Sequence, residues 1–199
     1  KYAQSKAGGE VAVRAAFPNA IILRPSVVFG PGDGFFNLFG KLMQLFPVVP
    51  FFTNIVPHAE GGGGPKFQPV YVGDVVTAIS EALHDDAHAG KTYELAGPRI
   101  YTMREILQIV DQETQRKRRI IGVPFFVAKI QALFLQFLPN PLITPDQVKQ
   151  LQIGNVSSGT LPGLDAFGVT ATAAEGIVPT YLKRFKALQQ TKRLRLKPR

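Results

Sequence analysis

The sequence AIILR at positions 20 to 24 is a short apolar run that Pro25 stops. A run of this length and composition is typical of a strand that lies buried in a parallel sheet. PVYVGD at 69 to 74 and TYELAG at 92 to 97 have the same strand-like character. Because helical patterns separate these runs, the sequence predicts an α/β fold with strands joined by helical crossovers.

Helix-start signals dominate the second half of the chain. Three segments there match the capping box, in which a hydroxyl and a carboxylate or amide satisfy the first free backbone donors of a helix: Thr102–Glu105, Thr144–Gln147 and Thr172–Glu175. The predicted helices cover 3–16, 35–46, 75–84 (with Asp74 as its cap), 103–116, 145–153 and 173–188. We therefore expect strands and helices to alternate early and helices alone to follow, with a loop at 25–34 and a connection at 47–69.

Composition narrows the class of protein. Apolar residues make up 45% of the 199 residues, which excludes general disorder. The absence of cysteine excludes disulfides and thiolate metal sites. The net charge of +9 is concentrated in RKRR at 116 to 119 and in eight Lys or Arg after residue 182, which indicates either a polyanionic partner or a solvated basic tail.

The first residues, KYAQSK, place Tyr2 and Lys6 four positions apart. On a helix this spacing puts both side chains on one face. A nearby ammonium lowers the pKa of a phenol, so Tyr2 is a candidate proton donor or acceptor. A solvated first turn explains the same spacing.

YAQSK, LRPSVVFGPGDG and FQPVYVGDVVTAI occur in an order and at spacings that resemble the extended short-chain dehydrogenases. GEVAVRAAFPNAIILRPSVVFGPGDGFFN, TYELAGP and TPDQVKQL extend the resemblance to the dehydrogenase-like, NAD(P)H-binding accessory subunit of respiratory complex I and its bacterial homologues. The similarity covers nearly the whole chain and weakens beyond about residue 185. In that family a glycine-rich Rossmann half precedes these motifs, so the resemblance implies the C-terminal half of a Rossmann-like fold with a mainly helical C-terminal lobe, the N-terminal Rossmann half being absent.

The resemblance also implies site residues and a division of the chain. Tyr2 takes the position of the catalytic tyrosine, and Lys6 that of its partner, which contacts the nicotinamide ribose. Pro25, Ser26 and Val28 match the segment that lines the nicotinamide ring of NAD(H) or NADP(H). We expect the Rossmann part and substrate-side loops in 1–100, a helical lobe in 101–188 and a basic tail in 189–199.

The other polar residues give weaker indications of a functional site. His84 and His88 are four apart but look like a frayed helix end, and His58 has no partner nearby, so no metal site is expected. Lys66 and Gln68 face either a substrate or solvent. Gly61 to Gly64 follows no predicted strand and opens no helix, which favours a flexible turn over a phosphate loop.

Residues 124–138, PFFVAKIQALFLQFL, form an apolar segment too short to cross a bilayer. Phe126, Ile130, Leu133 and Phe137 fall on one helical stripe, which fits either a lid or core helix or a surface that docks on a membrane or partner. RKRR directly before it favours a membrane-proximal face over 116–138.

Two functions share these motifs. The first is an accessory subunit of complex I that binds NAD(P)H for structural or regulatory reasons, peripheral to the mitochondrial inner membrane on its matrix side or to the cytoplasmic side of a bacterial membrane. The second is a free-standing NAD(P)-dependent oxidoreductase, or an enzyme like the nucleotide-sugar epimerases and dehydratases, that uses Tyr2 and Lys6. Nucleic-acid binding has charge in its favour but no motif, and it is not expected.

Overall fold

The computed structural model describes residues 2–53, 63–127 and 152–187. Its helices are α1 (Tyr2–Ala16), α2 (Phe36–Leu45), α3 (Val72–His84), α4 (Met103–Thr114) and α5 (Ala174–Leu182). Its strands are β1 (Ile22–Pro25), β2 (Val28–Phe29), β3 (Val48–Thr53), β4 (Lys66–Phe67), β5 (Val70–Tyr71), β6 (Thr92–Leu95), β7 (Tyr101–Thr102) and β8 (Arg119–Pro124).

Parallel pairing dominates the described strands. β1 pairs with β6, β2 with β5 and β3 with β8, all in parallel, whereas β4 and β7 pair antiparallel. Parallel neighbours need long crossovers, and helices supply them here, as in α/β proteins generally. The predicted α/β class with parallel strands is therefore confirmed.

Two apolar clusters hold these elements together. The larger one joins α2, α4 and α5 to the inner faces of β3 and β7, through side chains such as Phe36, Met43, Phe51, Tyr101 and Leu182. The smaller one joins β6 and α3 to a 3₁₀ turn at Leu164–Phe167. Tyr93 and Leu95 alternate inward along β6, the period-two pattern of a strand with one buried face.

Several short strands lie where the sequence predicted none. The predicted connection at 47–69 contains β3 and β4, the predicted loop at 25–34 contains β2, and the region predicted to hold only helices contains β7 and β8. Pro50 made β3 difficult to predict, because proline cannot donate a hydrogen bond to a sheet and therefore argues against a strand. β3 tolerates it since its partner among the described strands is β8 alone.

The predicted helix starts had three different outcomes. At α4 the capping box forms, with the Glu105 N–H donating to the Thr102 hydroxyl at 3.2 Å and the Thr102 N–H donating to Glu105 at 2.7 Å. At α5 it does not form, because Ala173 takes the cap position without a side-chain hydrogen bond. The capping box at Thr144–Gln147 and the helix at 145–153 lie, for the most part, outside the described residues.

Asp74 does not cap α3 as predicted. Tyr71 is the cap residue, and Asp74 lies buried in the first turn. There its carboxylate accepts hydrogen bonds from the Thr172 N–H at 2.7 Å and from the Thr172 hydroxyl at 2.9 Å. Asp74 thus ties α3 to the chain that leads into α5.

Candidate functional site

Helix α1 carries the predicted Tyr2 and Lys6 pair. Both residues lie in one continuous helix, so the i, i+4 spacing on which the pair depends is present. Lys6 is exposed. The roles of the phenol and the ammonium stay predictions.

Arginine side chains hold α1 against the β1–β6 sheet. Arg24, in β1, donates to the Glu10 carboxylate of α1 at 2.6 and 3.0 Å. The hydrogen bond from Arg24 lowers the pKa of Glu10. Arg14 donates to the Gly90 carbonyl at 2.9 Å and to the Thr92 hydroxyl. These contacts fix the orientation of α1 relative to the strands beside it.

The predicted nicotinamide segment lies at the carboxyl end of β1. Pro25 is paired with Leu95, and the Ser26 N–H donates to the Leu95 carbonyl at 2.9 Å. Val28 begins β2, paired with Val70 of β5. The segment is therefore held between β6 and β5. In open α/β sheets the carboxyl ends of parallel strands are where ligands bind.

Asn155 is a site residue that the sequence reasoning missed. The Ser26 hydroxyl donates to its side-chain oxygen, the Gln68 N–H donates to its carbonyl at 2.9 Å, and its own N–H donates to the Lys66 carbonyl at 2.8 Å. No local pattern could have pointed to this contact, because Ser26 and Asn155 are 129 positions apart.

Gln68 makes two hydrogen bonds that join neighbouring segments of the chain. Its side-chain amide donates to the Gly97 carbonyl at 2.8 Å and accepts from the Ser157 N–H at 3.1 Å. Lys66 is exposed and contributes its main chain to β4. Gln68 is half-buried and lines a polar cavity together with Glu94, so the choice between a substrate-facing and a solvent-facing residue stays a prediction.

A large apolar cavity adjoins the Ser26–Asn155 contact. Its volume is about 750 Å³. Apolar side chains supply most of the lining: Val27, Phe35, Leu38, Phe39, Leu42, Phe46, Val48, Val49, Pro50, Phe51, Phe52, Pro65, Phe67, Met103 and Phe125, with Gly154 and Asn155. The sequence feature that could have indicated this cavity is the high density of phenylalanine between 35 and 52. The sequence analysis assigned these residues only to a helix and a connection.

Glu94 anchors a second, more polar cavity of about 580 Å³. Its carboxylate accepts from the Ser157 hydroxyl at 2.9 Å and from the Ser158 N–H at 2.7 Å. Burial raises the pKa of Glu94, but the Ser158 and Ser157 hydrogen bonds and nearby Arg24 outweigh it, so the pKa is lowered overall. Glu94 is thus an ionised anchor for the 157–158 turn.

The histidines have separate partners. The His84 ring bonds the Ser80 carbonyl at 2.6 Å, whereas the His88 ring bonds the Tyr93 hydroxyl at 2.6 Å and packs on Phe167. No cluster of three metal-ligating side chains occurs among the described residues. His58 and half of the Gly61–Gly64 run lie outside them.

The basic run at 116–119 is partly internal. Arg116 donates to the Phe185 carbonyl at 2.7 Å, and Arg118 donates to the Met43 carbonyl at 2.8 Å. Lys117 and Arg119 are exposed. Arg116 and Arg118 are half-buried, so the predicted membrane-proximal face has two fully exposed charges and two that also bond the main chain.

The apolar stripe that follows is described only at its start. Phe126 is 63% exposed, whereas Ile130, Leu133 and Phe137 lie outside the described residues. Within the described part of the chain, no helix has the length and apolar character needed to cross a membrane.

The residues predicted to contact NAD(H) or NADP(H) lie in α1 and between the end of β1 and the start of β2. The Ser26 turn, Tyr2 and Lys6 are the groups predicted for the nicotinamide and ribose end of a dinucleotide. The 199 residues contain no G-x-G-x-x-G sequence for the pyrophosphate. The candidate residues on this chain are therefore predicted for one end of the dinucleotide.

Comparison with known proteins shows which proteins this chain is similar to. The chain is 36% identical over 163 residues to the mitochondrial NADH dehydrogenase (ubiquinone) 1 alpha subcomplex subunit 9 of Arabidopsis thaliana, covering 79% of this chain and 39% of that protein. It is 36% identical over 176 residues to the subunit of the same name from Mus musculus, covering 88% of this chain and 45% of that protein. No protein-family model matches the chain.

A solved structure supports the fold. The UDP-glucose 4-epimerase of Thermus thermophilus, in complex with NAD, superposes with a TM-score of 0.63 at 22% identity, over 92% of this chain and 53% of that one. The chain thus spans about two fifths to half of the proteins that it matches. The predicted resemblance and the predicted partial Rossmann-like fold are confirmed.

Proposed function

We propose that this chain, a homologue of the alpha subcomplex subunit 9 proteins with the fold of the extended short-chain dehydrogenases, is part of an NAD(P)H-binding accessory subunit of respiratory complex I. The observation that carries the proposal is the 36% identity over 163 residues to a subunit of that name. The nucleotide is held for structural or regulatory reasons, and the subunit takes no part in electron transfer.

Nucleotide binding on this chain is assigned to α1 and the strand-end turn. Lys6 binds the nicotinamide ribose, and Tyr2 lies beside the ring. Pro25, Ser26 and Val28 line the other side of the nicotinamide. The hydrogen bond from Ser26 to Leu95 supports this assignment, because it fixes the turn before any ligand arrives.

The names of the relatives, which are mitochondrial proteins, support a proposed location. We place the subunit at the mitochondrial inner membrane on its matrix side, or at the cytoplasmic side of a bacterial membrane, as a peripheral protein. The surface that includes Lys117, Arg119 and Phe126 faces the membrane or the partner subunits. Nucleic acid is not a partner.

Affinity purification tests the assembly. A tagged full-length protein that contains this chain is expressed in cells that assemble complex I, and membranes are solubilised in mild detergent. We expect the tag to recover complex I subunits and NADH:ubiquinone activity. Recovery of the tagged protein alone, in cells whose complex I is intact, would contradict the proposal.

A free-standing oxidoreductase is the second candidate. The observation that favours it is the apolar cavity beside Val27, which gives a substrate a place next to the nicotinamide turn. In that case Tyr2 exchanges a proton as hydride moves to or from the nicotinamide. Tyr2→Phe then abolishes turnover and spares cofactor affinity, whereas in an accessory subunit it leaves complex I activity intact.

A further inference from the structure

The cavity beside Val27 has the volume of a ligand site and an apolar lining. At about 750 Å³ it falls within the roughly 300–1,000 Å³ that small-molecule pockets occupy. Five of its lining side chains between 35 and 52 are phenylalanines: Phe35, Phe39, Phe46, Phe51 and Phe52. None of the described residues that line it is charged.

The lack of lining charge restricts the ligand. A phosphate or carboxylate buried without a cationic partner loses its hydration with little in return. Arginine or lysine side chains commonly hold a nucleoside diphosphate. The described lining offers neither, so it favours an uncharged, largely apolar molecule.

One edge of the cavity is polar. Asn155 lines it and accepts a hydrogen bond from the Ser26 hydroxyl through its side-chain oxygen. An amide also carries two N–H donors, which suit a carbonyl or hydroxyl oxygen. Gly154 keeps this edge close to the sheet: its φ is 75°, and a Cβ there would lie 2.3 Å from the Lys66 carbonyl oxygen.

We propose that this cavity binds one alkyl or acyl chain that ends in an uncharged hydroxyl or carbonyl group. The chain lies among the phenylalanines, and its oxygen meets Asn155 at the edge that adjoins the Ser26 turn. This site goes beyond the proposed function, because chain binding requires neither the dinucleotide nor complex I.

A displacement assay on the full-length protein that contains this chain tests the ligand class. The probe is cis-parinaryl alcohol, a fluorescent long-chain alcohol, and the competitors are 1-hexadecanol, geranylgeraniol and UDP-glucose. We expect saturable probe binding that 1-hexadecanol and geranylgeraniol displace and UDP-glucose leaves unchanged. Absence of saturable binding, failure of both long-chain alcohols to displace the probe, or displacement by UDP-glucose would each overturn the proposal.

Two leucines of α2 provide a matched pair of variants. Leu38 lines the cavity and is 51% exposed, whereas Leu45, on the same helix, is 72% exposed and is not part of the lining. Because a charge at the lining opposes an apolar chain, Leu38→Glu should weaken probe binding about tenfold or more. Leu45→Glu should bind like the parent, and equal losses in both variants would show non-specific adsorption.

The polar edge has its own test. Asn155→Ala should weaken 1-hexadecanol binding several-fold and hexadecane binding little, since only the alcohol carries an oxygen. Equal effects on both ligands would overturn the placement of the oxygen. Circular dichroism verifies the fold of each variant. NADH titration of the same samples is a separate readout, so failure of nucleotide binding and failure of chain binding remain distinguishable.

Discussion

The hydroxyl group of Tyr101 lies in the core and depends on one carboxylate. Tyr101 is 1% exposed and donates to Glu175 at 2.6 Å, while Arg99 donates to the other oxygen of Glu175 at 3.0 Å. Burial, followed by the hydrogen bond to Glu175, raises the pKa of Tyr101 well above its ordinary value. The phenol therefore stays protonated and remains the donor at neutral pH.

Removing the acceptor should cost more than removing the donor. Glu175→Ala leaves a buried hydroxyl unpaired, and we expect the free energy of unfolding to fall by about 1–3 kcal/mol. Tyr101→Phe should cost less, because Glu175 keeps Arg99 and solvent. Urea denaturation of both variants measures the difference, and equal losses would show that the hydrogen bond is not the cause.

Asp74 makes a second long-range contact of this kind. Asp74→Ala removes a charged acceptor from the Thr172 N–H and hydroxyl, and we expect a loss of about 1.5–3 kcal/mol in urea denaturation. Thr172→Val should cost less, since the main-chain bond to Asp74 survives. A larger loss for Thr172→Val than for Asp74→Ala would refute this account.

These contacts show why identical sequence patterns had different outcomes. Thr102–Glu105 and Thr172–Glu175 both match a capping box. In the first, Thr102 and Glu105 bond each other across three positions, so the sequence could predict the capping box. In the second, Thr172 bonds Asp74 and Glu175 bonds Tyr101, at separations of 98 and 74 positions. Local patterns carry no information about such partners.

At the scale of the element, the α4 capping box makes stability depend on pH. The hydrogen bond from the Thr102 N–H, with weaker support from Arg99, lowers the pKa of Glu105 below 4.5. The unfolded chain therefore binds this proton first as the pH falls. The stabilisation is present above about pH 4.5 and is lost as the pH falls through the folded-state pKa.

Glu105→Gln should make the low-pH loss of stability shallower. The free energy of unfolding, measured by urea titration between about pH 5.5 and pH 3.5, should fall less steeply in the variant than in the parent. Some slope remains, because Glu10 and Glu94 also have lowered pKa values. Thr102→Ala should cost about 0.5–2 kcal/mol at neutral pH. Parallel pH profiles for Glu105→Gln and the parent would contradict the assignment.

Helices were predicted better than strands for a physical reason. α1, α2, α3 and α4 lie within about three residues of their predicted bounds, because helical periodicity and caps are local. β3 and β8 were missed, although they form the longest ladder, from Val48↔Arg119 to Thr53↔Pro124. Each strand pairs with a partner about 70 positions away. In addition, Pro50 made β3 look unlike a strand, and the charged run RKRR at the start of β8 made that strand look unlike a buried one.

At the scale of the whole molecule, the proposed nucleotide site needs more groups than the candidate residues provide. These residues are proposed for the nicotinamide end, whereas a helix N-terminus after a glycine-rich loop commonly binds the pyrophosphate. We expect the 199-residue chain to bind NADH or NADPH weakly, and Lys6→Met to weaken that binding further. In a fluorescence titration, submicromolar affinity of the chain, or equal affinity of the variant, would contradict this.

Membrane or partner attachment is the second property at this scale, and the structure changes how it must be tested. Reversing the charge of Arg116 or Arg118 would break their hydrogen bonds to the Phe185 and Met43 carbonyls. A loss of membrane binding could then come from partial unfolding instead of from weaker attraction to the membrane. Lys117 is exposed, and its φ of 52° is equally strained for lysine and glutamate, so Lys117→Glu isolates the charge. Exposed Lys91 gives a control with the same change in net charge.

Lys117→Glu should therefore weaken binding to anionic liposomes while Lys91→Glu does not. A basic residue near an anionic surface contributes about 1 kcal/mol, so reversal removes about 2 kcal/mol, or roughly 30-fold in affinity. The difference should shrink as salt rises, because the screening length falls from about 10 Å at 0.1 M to about 3 Å at 1 M. Flotation of the full-length protein and both variants measures this. Equal losses in the two variants would mean that only net charge matters, and the surface around Lys117 would have no specific orientation toward the membrane.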